Sequence, residues 1–400
     1  VKTPVPATPS TLRAINDRAA LRVLLDRGPL TRPEIGDLTG LSKPTAFQVL
    51  ARLQDAGLVV KDGVRAGSSG RVAETYRINP MVAHVAALDV TPEEISARVA
   101  DITGAIVGEA VLPQPREPAG TLIERLNAAL RSARPPGPIR RTVIGVQGAV
   151  DPTTGRLGYA TAEDMPGWQI PELVATLTDG LGTAVDVENN VNLAALAERT
   201  YGVAADCPDF VLLWADEGLG AALMLDGRLH RGVTGGAGEV GYTPTPGAPT
   251  GRDVGRFANH GYQALTGGPT IHELLRSYGV DAPDFRRAIE TAVRRAEHGS
   301  GSTAEDAGAG LRNVAARLAV GLAAITSIVD PGLIVLAGGV MTAGGEHLRD
   351  LIERELYALT IPRPRLRLSA VEGNPVLAGA LELALTSVRD EVFGAALPTP

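Results

Sequence analysis

Cysteine is almost absent from this chain: Cys207 is the single one in 400 residues. An internal disulfide is thereby excluded, and so is a zinc site built from several cysteines of one chain. No stretch reads as approaching the length of a bilayer span, and Val1 to Pro9 form a Pro- and Thr-containing tail without an apolar core, so neither a membrane span nor a secretory signal is expected and a cytoplasmic location is. Net positive charge is lacking beyond residue 80. Residues 1–80 hold twelve Lys or Arg against seven Asp or Glu, a net +5; the whole chain is −7, so residues 81–400 carry −12. A basic module on an acidic body suits a protein that meets nucleic acid at one end, with a chance fluctuation of a few charges as the competing explanation. What is present is a 44% share of hydrophobic residues and length enough for two or three globular domains.

The basic end carries an ordered set of local signals. Thr31-Arg32-Pro33-Glu34 has the form of a capping box that opens a short helix ending at Gly40. After the turn Gly40-Leu41-Ser42, Ser42 can cap a second helix whose Ala46, Val49, Leu50 and Leu53 fall at helical spacing and face inward. Lys43, Thr45, Gln48 and Arg52 are then assigned to its other face, with side chains that can reach base edges or phosphates from a major groove. Leu58 to Lys61 and Val72 to Ile78 read as paired strands, and the loop between them carries Arg65 and Arg71, which suit phosphate or minor-groove contact. Cap, turn, reading face and hairpin in this order point to a winged helix-turn-helix; a small helical bundle with a solvated hairpin is the alternative. Ahead of it, Ser10 to Arg27 reads as a helix with Leu12, Ile15, Ala19, Val23 and Leu24 on one stripe. Asn79-Pro80 closes a DNA-binding domain over residues 1–80.

Residues 81–400 read as a second, α/β domain. Val82 to Val90, Ile95 to Ile102 and Ala105 to Val111 have the pattern of three antiparallel strands, followed by an amphipathic helix over Thr121 to Ala133 and a buried strand over Thr142 to Val146. The triplet recurs at Phe210 to Ala215, Leu219 to Leu225 and Arg228-Leu229, with Asp226-Gly227 as a type I′ turn signal. Two comparable halves imply a duplicated, two-lobed fold with a cleft; two unrelated hairpins in one mixed domain would also fit. Helices are expected over Val314 to Val329 and Val376 to Val388, as lobe supports and a dimer contact or as plain core.

Several segments in this second domain occur in the order found in the ROK family, named for repressors, open reading frames and kinases. They are Ile144-Gly145-Val146-Gln147-Gly148-Ala149-Val150-Asp151, Val187-Glu188-Asn189-Asn190-Val191-Asn192, Asp226-Gly227-Arg228-Leu229, Gly236-Ala237-Gly238-Glu239-Val240-Gly241 and Asp330-Pro331-Gly332 through Gly338-Gly339. Over residues 82–390 the chain resembles that family, and the winged helix in front resembles its repressor branch. The resemblance implies an actin-like, hexokinase-type two-lobed fold.

Departures from the kinase pattern are concentrated where chemistry would occur. The kinases' Asp-x-Gly-Gly-Thr phosphate loop is here Asp89-Val90-Thr91-Pro92-Glu93, and their Gly-Thr-Gly-Ile-Gly loop is Asp216-Glu217-Gly218-Leu219-Gly220. A proline removes an amide donor, and a carboxylate replaces a hydroxyl in each loop; two unit charges about 4 Å apart repel by roughly 4 kcal/mol at an effective dielectric of about 20. The position of the family's catalytic aspartate is Asn190, whose amide cannot take the hydroxyl proton. Tyr242 stands where the family's zinc-binding histidine would, and Gly247 to Tyr262 lacks the zinc cysteines. No catalytic residue, cofactor or zinc is expected, and the 247–262 segment must be ordered by other means or be mobile, with His260 a surface or packed residue. The family's sugar contacts carry over to Asn189, Asn190, Glu239, Tyr242 and Gln263 or its neighbour, all of which keep hydrogen-bonding groups. A sugar or sugar derivative is the candidate effector, with mutual satisfaction of these groups in a vestigial cleft as the other outcome. The expectation is a transcriptional regulator, a repressor, that binds a pseudo-palindromic operator as a homodimer. A sugar kinase with an appended DNA-binding domain, or a regulator that answers to a protein partner, are the alternatives.

Overall fold

Short caps and a buried aliphatic stripe organise the front of the chain. The computed structural model describes residues 9–66, 72–114, 120–158, 165–255 and 258–394. It opens with α1 (Pro9–Arg27), β1 (Leu30–Thr31), α2 (Arg32–Thr39), α3 (Lys43–Asp55), β2 (Val59–Ala66) and β3 (Val72–Ile78). The capping box is formed: the Thr31 amide donates to Glu34 Oε2 at 2.7 Å, and the Glu34 amide donates to Thr31 Oγ1 at 3.5 Å. Gly40 ends α2 in the left-handed region, and Ser42 caps α3 by accepting from the Thr45 amide. Ala46, Val49, Leu50 and Leu53 are buried, as their spacing requires. β3 pairs with β2 on one side and β1 on the other, which completes the winged-helix arrangement. Arg71, in the tip of the wing, lies outside the described residues.

Two expectations for this module are corrected. The inward face of α1 is Ala14, Asp17, Ala20, Leu21 and Leu24, whereas Leu12 and Ile15 are 51% and 54% exposed. Asp17 occupies that face because Arg52 meets it there, Nη2 to Oδ1 at 2.5 Å and Nε to Oδ2 at 3.3 Å. Counting apolar residues alone passes over such an acid. Arg52 is correspondingly turned onto α1 and away from the outer face of α3, since a buried carboxylate requires a fixed counter-charge.

Beyond β3, Asn79 folds the chain back: its side-chain amide donates to Gly57 O at 2.9 Å and its Oδ1 accepts from the Met81 amide at 3.2 Å, opening a 3-10 turn over Pro80–Val82. There follow β4 (His84–Val90), β5 (Glu94–Asp101), β6 (Ile106–Pro113), α4 (Leu122–Ser132), β7 (Ile139–Val146), β8 (Ala149–Val150), β9 (Leu157–Gly158), α5 (Leu173–Leu181), β10 (Ala184–Asn189) and α6 (Asn190–Tyr201). The second half comprises β11 (Phe210–Ala215), β12 (Leu219–Leu225), β13 (Arg228–His230), α7 (Gly251–Val254), α8 (Gly261–Thr266), α9 (Gly268–Ser277), α10 (Phe285–His298), α11 (Ser302–Val329), β14 (Leu333–Ala337), α12 (Gly339–Leu359), β15 (Arg365–Leu368) and α13 (Pro375–Gly394).

Strand order shows the duplication. One sheet runs β10-β7-β4-β5-β6 and the other β15-β14-β11-β12-β13. In each, an antiparallel meander is extended by two strands parallel to its first member. The expected tight turn is present, with Asp226 and Gly227 both at positive φ, 51° and 68°. α11 requires a further correction: its 28 residues are long and apolar enough to cross a membrane by length and composition. Its Leu311, Val314, Leu318 and Leu322 are buried in the second lobe's core, together with residues of α10 and α12, as in the core helix of a globular lobe.

α13 joins the parts. It lies on β4 and β7, runs along α6 and touches α1. Its Gly379 is so close to α6 that a Cβ there would sit 1.8 Å from Leu193 O. At its far end Asp390 pairs with Arg18 of α1 and Glu391 with Arg141 of β7, both at 2.7 Å. Val388, Val392 and Phe393 share one apolar cluster with Leu21, Leu24 and Leu53 of the winged helix. Removing Arg52 would leave Asp17 buried and unpaired, so Arg52→Ala is expected to lower stability by about 2 kcal/mol. A urea midpoint equal to that of the unaltered chain would show that the pair contributes nothing.

Candidate nucleic-acid interface and effector cleft

On the outer face of α3 the exposed side chains are Lys43, Pro44, Phe47 and Gln48. Lys43 has no ion pair or hydrogen bond among the described residues. Thr45 is half-buried and its hydroxyl lies 2.8 Å from Ser42 Oγ, within the cap. Arg65 is exposed on β2 but tied to the start of α2, Nη1 to Glu34 Oε1 at 2.9 Å and Nη2 to Pro29 O at 3.0 Å. Of the six residues expected to meet DNA, Lys43 and Gln48 thus present open polar groups, Thr45 and Arg65 serve local contacts, Arg52 belongs to the junction with α1, and Arg71 is outside the described residues. Phe47 was missed. It follows Lys43 by one helical turn, so the same spacing that buries Ala46 and Leu50 places it outward; attention to polar types alone hid it.

The effector candidates gather around the start of β12. The Oδ1 of Asn189 accepts from the Val191 and Asn192 amides at 2.8 and 3.2 Å, and its Nδ2 donates to Gly148 O at 3.1 Å. Asn189 is therefore spent on capping α6. Among the described residues Asn190 uses only its side-chain oxygen, on the Val191 amide at 2.9 Å, and its side-chain amide donors have no partner. Glu239 is half-buried and has no partner for its carboxylate among the described residues; burial raises its pKa above the ordinary glutamate range. Gln263 Oε1 accepts from the Leu219 amide at 3.2 Å, which holds the β11–β12 turn. Tyr242 packs against His260, ring centroids 5.2 Å apart. The segment around them is ordered by a Thr250–Asp253 capping box and by backbone bonds from Gly261 to Pro249 O and from Tyr262 to Thr243 O, with residues 256–257 outside the described set. Beneath the cleft, Glu188 and Arg231 went unnoticed in the sequence. Glu188 Oε2 accepts from Arg231 Nε at 2.6 Å and its Oε1 from Asn192 Nδ2 at 2.9 Å, fixing the start of α6 against the residue that follows β13.

Both loops that correspond to kinase phosphate loops are closed on themselves. The amides of Glu93 and Glu94 donate to Thr91 Oγ1 at 3.3 and 3.2 Å, and the Thr91 amide to Glu94 O at 3.0 Å, leaving a tight turn whose amides are consumed. Buried Asp89 accepts from Asn374 Nδ2 at 2.7 Å. Across the cleft, Asp216 is the carboxylate that matters, and not Glu217. Its Oδ2 accepts from the Gly339 amide at the start of α12 (3.0 Å), and its Oδ1 from Arg286 Nη2 (2.6 Å) and the Glu217 amide (3.1 Å). A helix N-terminus, a turn amide and a guanidinium that converge make an anion seat. Here the anion is part of the chain. Among the described residues no group of three His, Cys, Asp or Glu side chains could hold a metal ion.

A model of the ROK family matches residues 85–387. The chain belongs to the ROK family. A model of the MarR family matches residues 15–71, the span of the winged helix. The chain is similar to a xylose repressor of Caldicellulosiruptor bescii, 22% identical over 94% of this chain and 97% of the repressor. Its fold is similar to that of a ROK family transcriptional regulator described as a homologue of the E. coli MLC protein, with a TM-score of 0.71, 18% identity and coverage of 96% of this chain and 99% of that one. A ROK hexokinase from Thermus thermophilus superposes on 77% of this chain and 99% of its own length, with a TM-score of 0.61 and 26% identity. The two matching sheets are thus the two lobes of an actin-like ROK body.

Asp89 makes the cleft sensitive to pH. Burial, the main cause, and the nearby Glu94 raise its pKa above the ordinary aspartate range, while Asn374 opposes the rise. The neutral acid is favoured in the folded state. Stability is therefore full below the unfolded pKa and declines as pH rises through the folded one. Asp89→Asn is expected to flatten the pH profile of the melting temperature above about pH 4 and to raise it at neutral pH. An unaltered profile would remove Asp89 as its source.

Proposed function

We propose that this ROK family chain is a sequence-specific DNA-binding transcriptional regulator, a repressor. In this reading its two-lobed body senses a sugar or sugar derivative without phosphorylating it. The observation that carries the reading is a pairing: a winged helix with an open α3 face, attached to a body whose anion seat is filled by Asp216. The similarity to a xylose repressor supports repression and a sugar signal. Lys43 and Gln48 contact operator DNA, and a pseudo-palindromic operator is bound by a homodimer. Because the operator is its target, we place the protein in the cytoplasm.

Asn190, Glu239 and Tyr242 are the proposed effector contacts, with Asn189 and Gln263 holding the frame. Closure of the lobes on an effector would act on α6, pass to α13 through the contact at Gly379, and reach α1 through Arg18 and the shared apolar cluster. An effector that favours one lobe arrangement shifts the spacing of two recognition helices and so the operator affinity.

Thermal unfolding of the full-length chain with pentoses, hexoses, aminosugars and sugar phosphates, each with and without Mg-ATP, tests this. One sugar is expected to stabilise by mass action, equally in both conditions and with no sugar-dependent ATP consumption. ATP turnover would establish a kinase, and no shift with any sugar would sink the sensor reading. If a hydroxyl of that sugar donates a hydrogen bond to Glu239, its affinity rises with pH as Glu239 of the free protein ionises, because binding favours the charged carboxylate whose pKa burial has raised. Glu239→Gln should abolish that pH dependence.

A further inference from the structure

We propose that Phe47 is a specificity-determining residue that reads the C5-methyl group of a thymine in each operator half-site, its ring set in place by Arg32. The proposal rests on the reading of the chain as an operator-binding protein. Phe47 is 54% exposed on the outer face of α3, between Lys43 and Gln48. Elsewhere on this helix the apolar residues Ala46, Val49, Leu50 and Leu53 are buried, so the phenylalanine is not part of the module's core.

The ring is fixed from behind. Arg32, the first residue of α2, places its guanidinium carbon 4.6 Å from the centroid of the Phe47 ring. Its Nη2 donates to Tyr76 Oη at 3.0 Å, and Tyr76, 1% exposed, donates in turn to Glu74 Oε2 at 2.8 Å. Arg32 Nε is buried and has no hydrogen-bond partner among the described residues, and no carboxylate there forms an ion pair with it, so this guanidinium is held by stacking and by the tyrosine. A cation over an aromatic face is attractive when partly desolvated. The stack joins the two helices of the helix-turn-helix to β3. Its effect is to keep an otherwise mobile side chain pointing outward in one orientation.

A phenylalanine cannot answer the donors and acceptors of base edges. The one apolar group that the major groove offers is the thymine methyl, which cytosine lacks. Gln48 beside it carries the donor and acceptor pair that matches adenine N6 and N7. A fixed apolar ring next to an amide thus selects an A·T-containing step, by a contact for which Lys43 has no chemistry.

The test begins with an operator selected from random duplexes by the full-length protein. Each thymine is then replaced in turn by deoxyuridine, which removes only the methyl. One replacement per half-site is expected to weaken binding about fourfold, the equivalent of one buried methyl group. The same replacement should not affect Phe47→Ala, while Phe47→Leu, which keeps an apolar tip, should retain the sensitivity; non-additivity of this kind isolates the contact. Arg32→Ala should blunt the discrimination, since the ring is then free to turn. Operator binding in which no uracil matters, or in which uracil costs the unaltered chain and Phe47→Ala the same, overturns the role of Phe47 alone. A chain that selects no sequence from the library overturns the operator-binding reading, and this proposal with it.

Discussion

Everything in this molecule that could move together depends on the close approach of α13 to α6. Leu193 O lies where a side chain at Gly379 would have to go, so only a glycine lets the two helices meet. α6 packs on second-lobe strands through Val191, Ala194 and Ala195, and α13 rests on the first-lobe sheet through Val376, Ala380 and Leu381. The same α13 continues to the winged helix. Protein interiors are too densely packed to absorb a shift of one helix silently, so a change in lobe angle has a path to α1 that needs no flexible linker. Asn79, bonded to Gly57 and Leu58, reinforces this by tying the end of the wing strand to the end of α3.

Electrostatics explain why a kinase-shaped body need not be a kinase. In the second lobe the donors at the start of α12 and on Arg286 converge on Asp216, so the lobe carries its own counter-ion. In the first lobe Asp89 is buried against Asn374, and the turn that follows spends its amides on Thr91. Both loops are thus held by bonds from within the chain. Glu239 has no such bond among the described residues; it is half-buried, and burial raises its pKa.

Much of the architecture was legible because its signals are local. The capping box at Thr31, the cap at Ser42, the left-handed Gly40 and the turn at Asp226-Gly227 each depend on residues no more than four apart. The helix period gave the inner face of α3 and the meander pattern gave both halves of the body. The stripe on α1 was misjudged for a physical reason: its inner face includes Asp17, an acid that a hydrophobic pattern cannot foresee. The apolar length of α11 was overlooked because Glu305, Asp306, Arg312 and Arg317 interrupt it, and its burial follows only from packing against α10 and α12.

By itself the sequence determined the element types, their order, the charge division between the basic front and acidic body, and the residue exchanges at both phosphate loops and at Asn190. It could not determine which way long side chains turn. Arg52 meets Asp17 across 35 residues, Gln263 holds Leu219 across 44, and Gly339 finds Asp216 across 123. Each of these pairings engages its side chain within the fold: Arg52 at the junction with α1, Gln263 in the frame of the β11–β12 turn, and Asp216 as an internal anion at the start of α12. A flexible charged or amide side chain has several partners of similar energy along a chain, and the choice among them is made by which backbone segments the packed core brings within about 3 Å. That distance is a property of the folded core and is written nowhere in the local sequence.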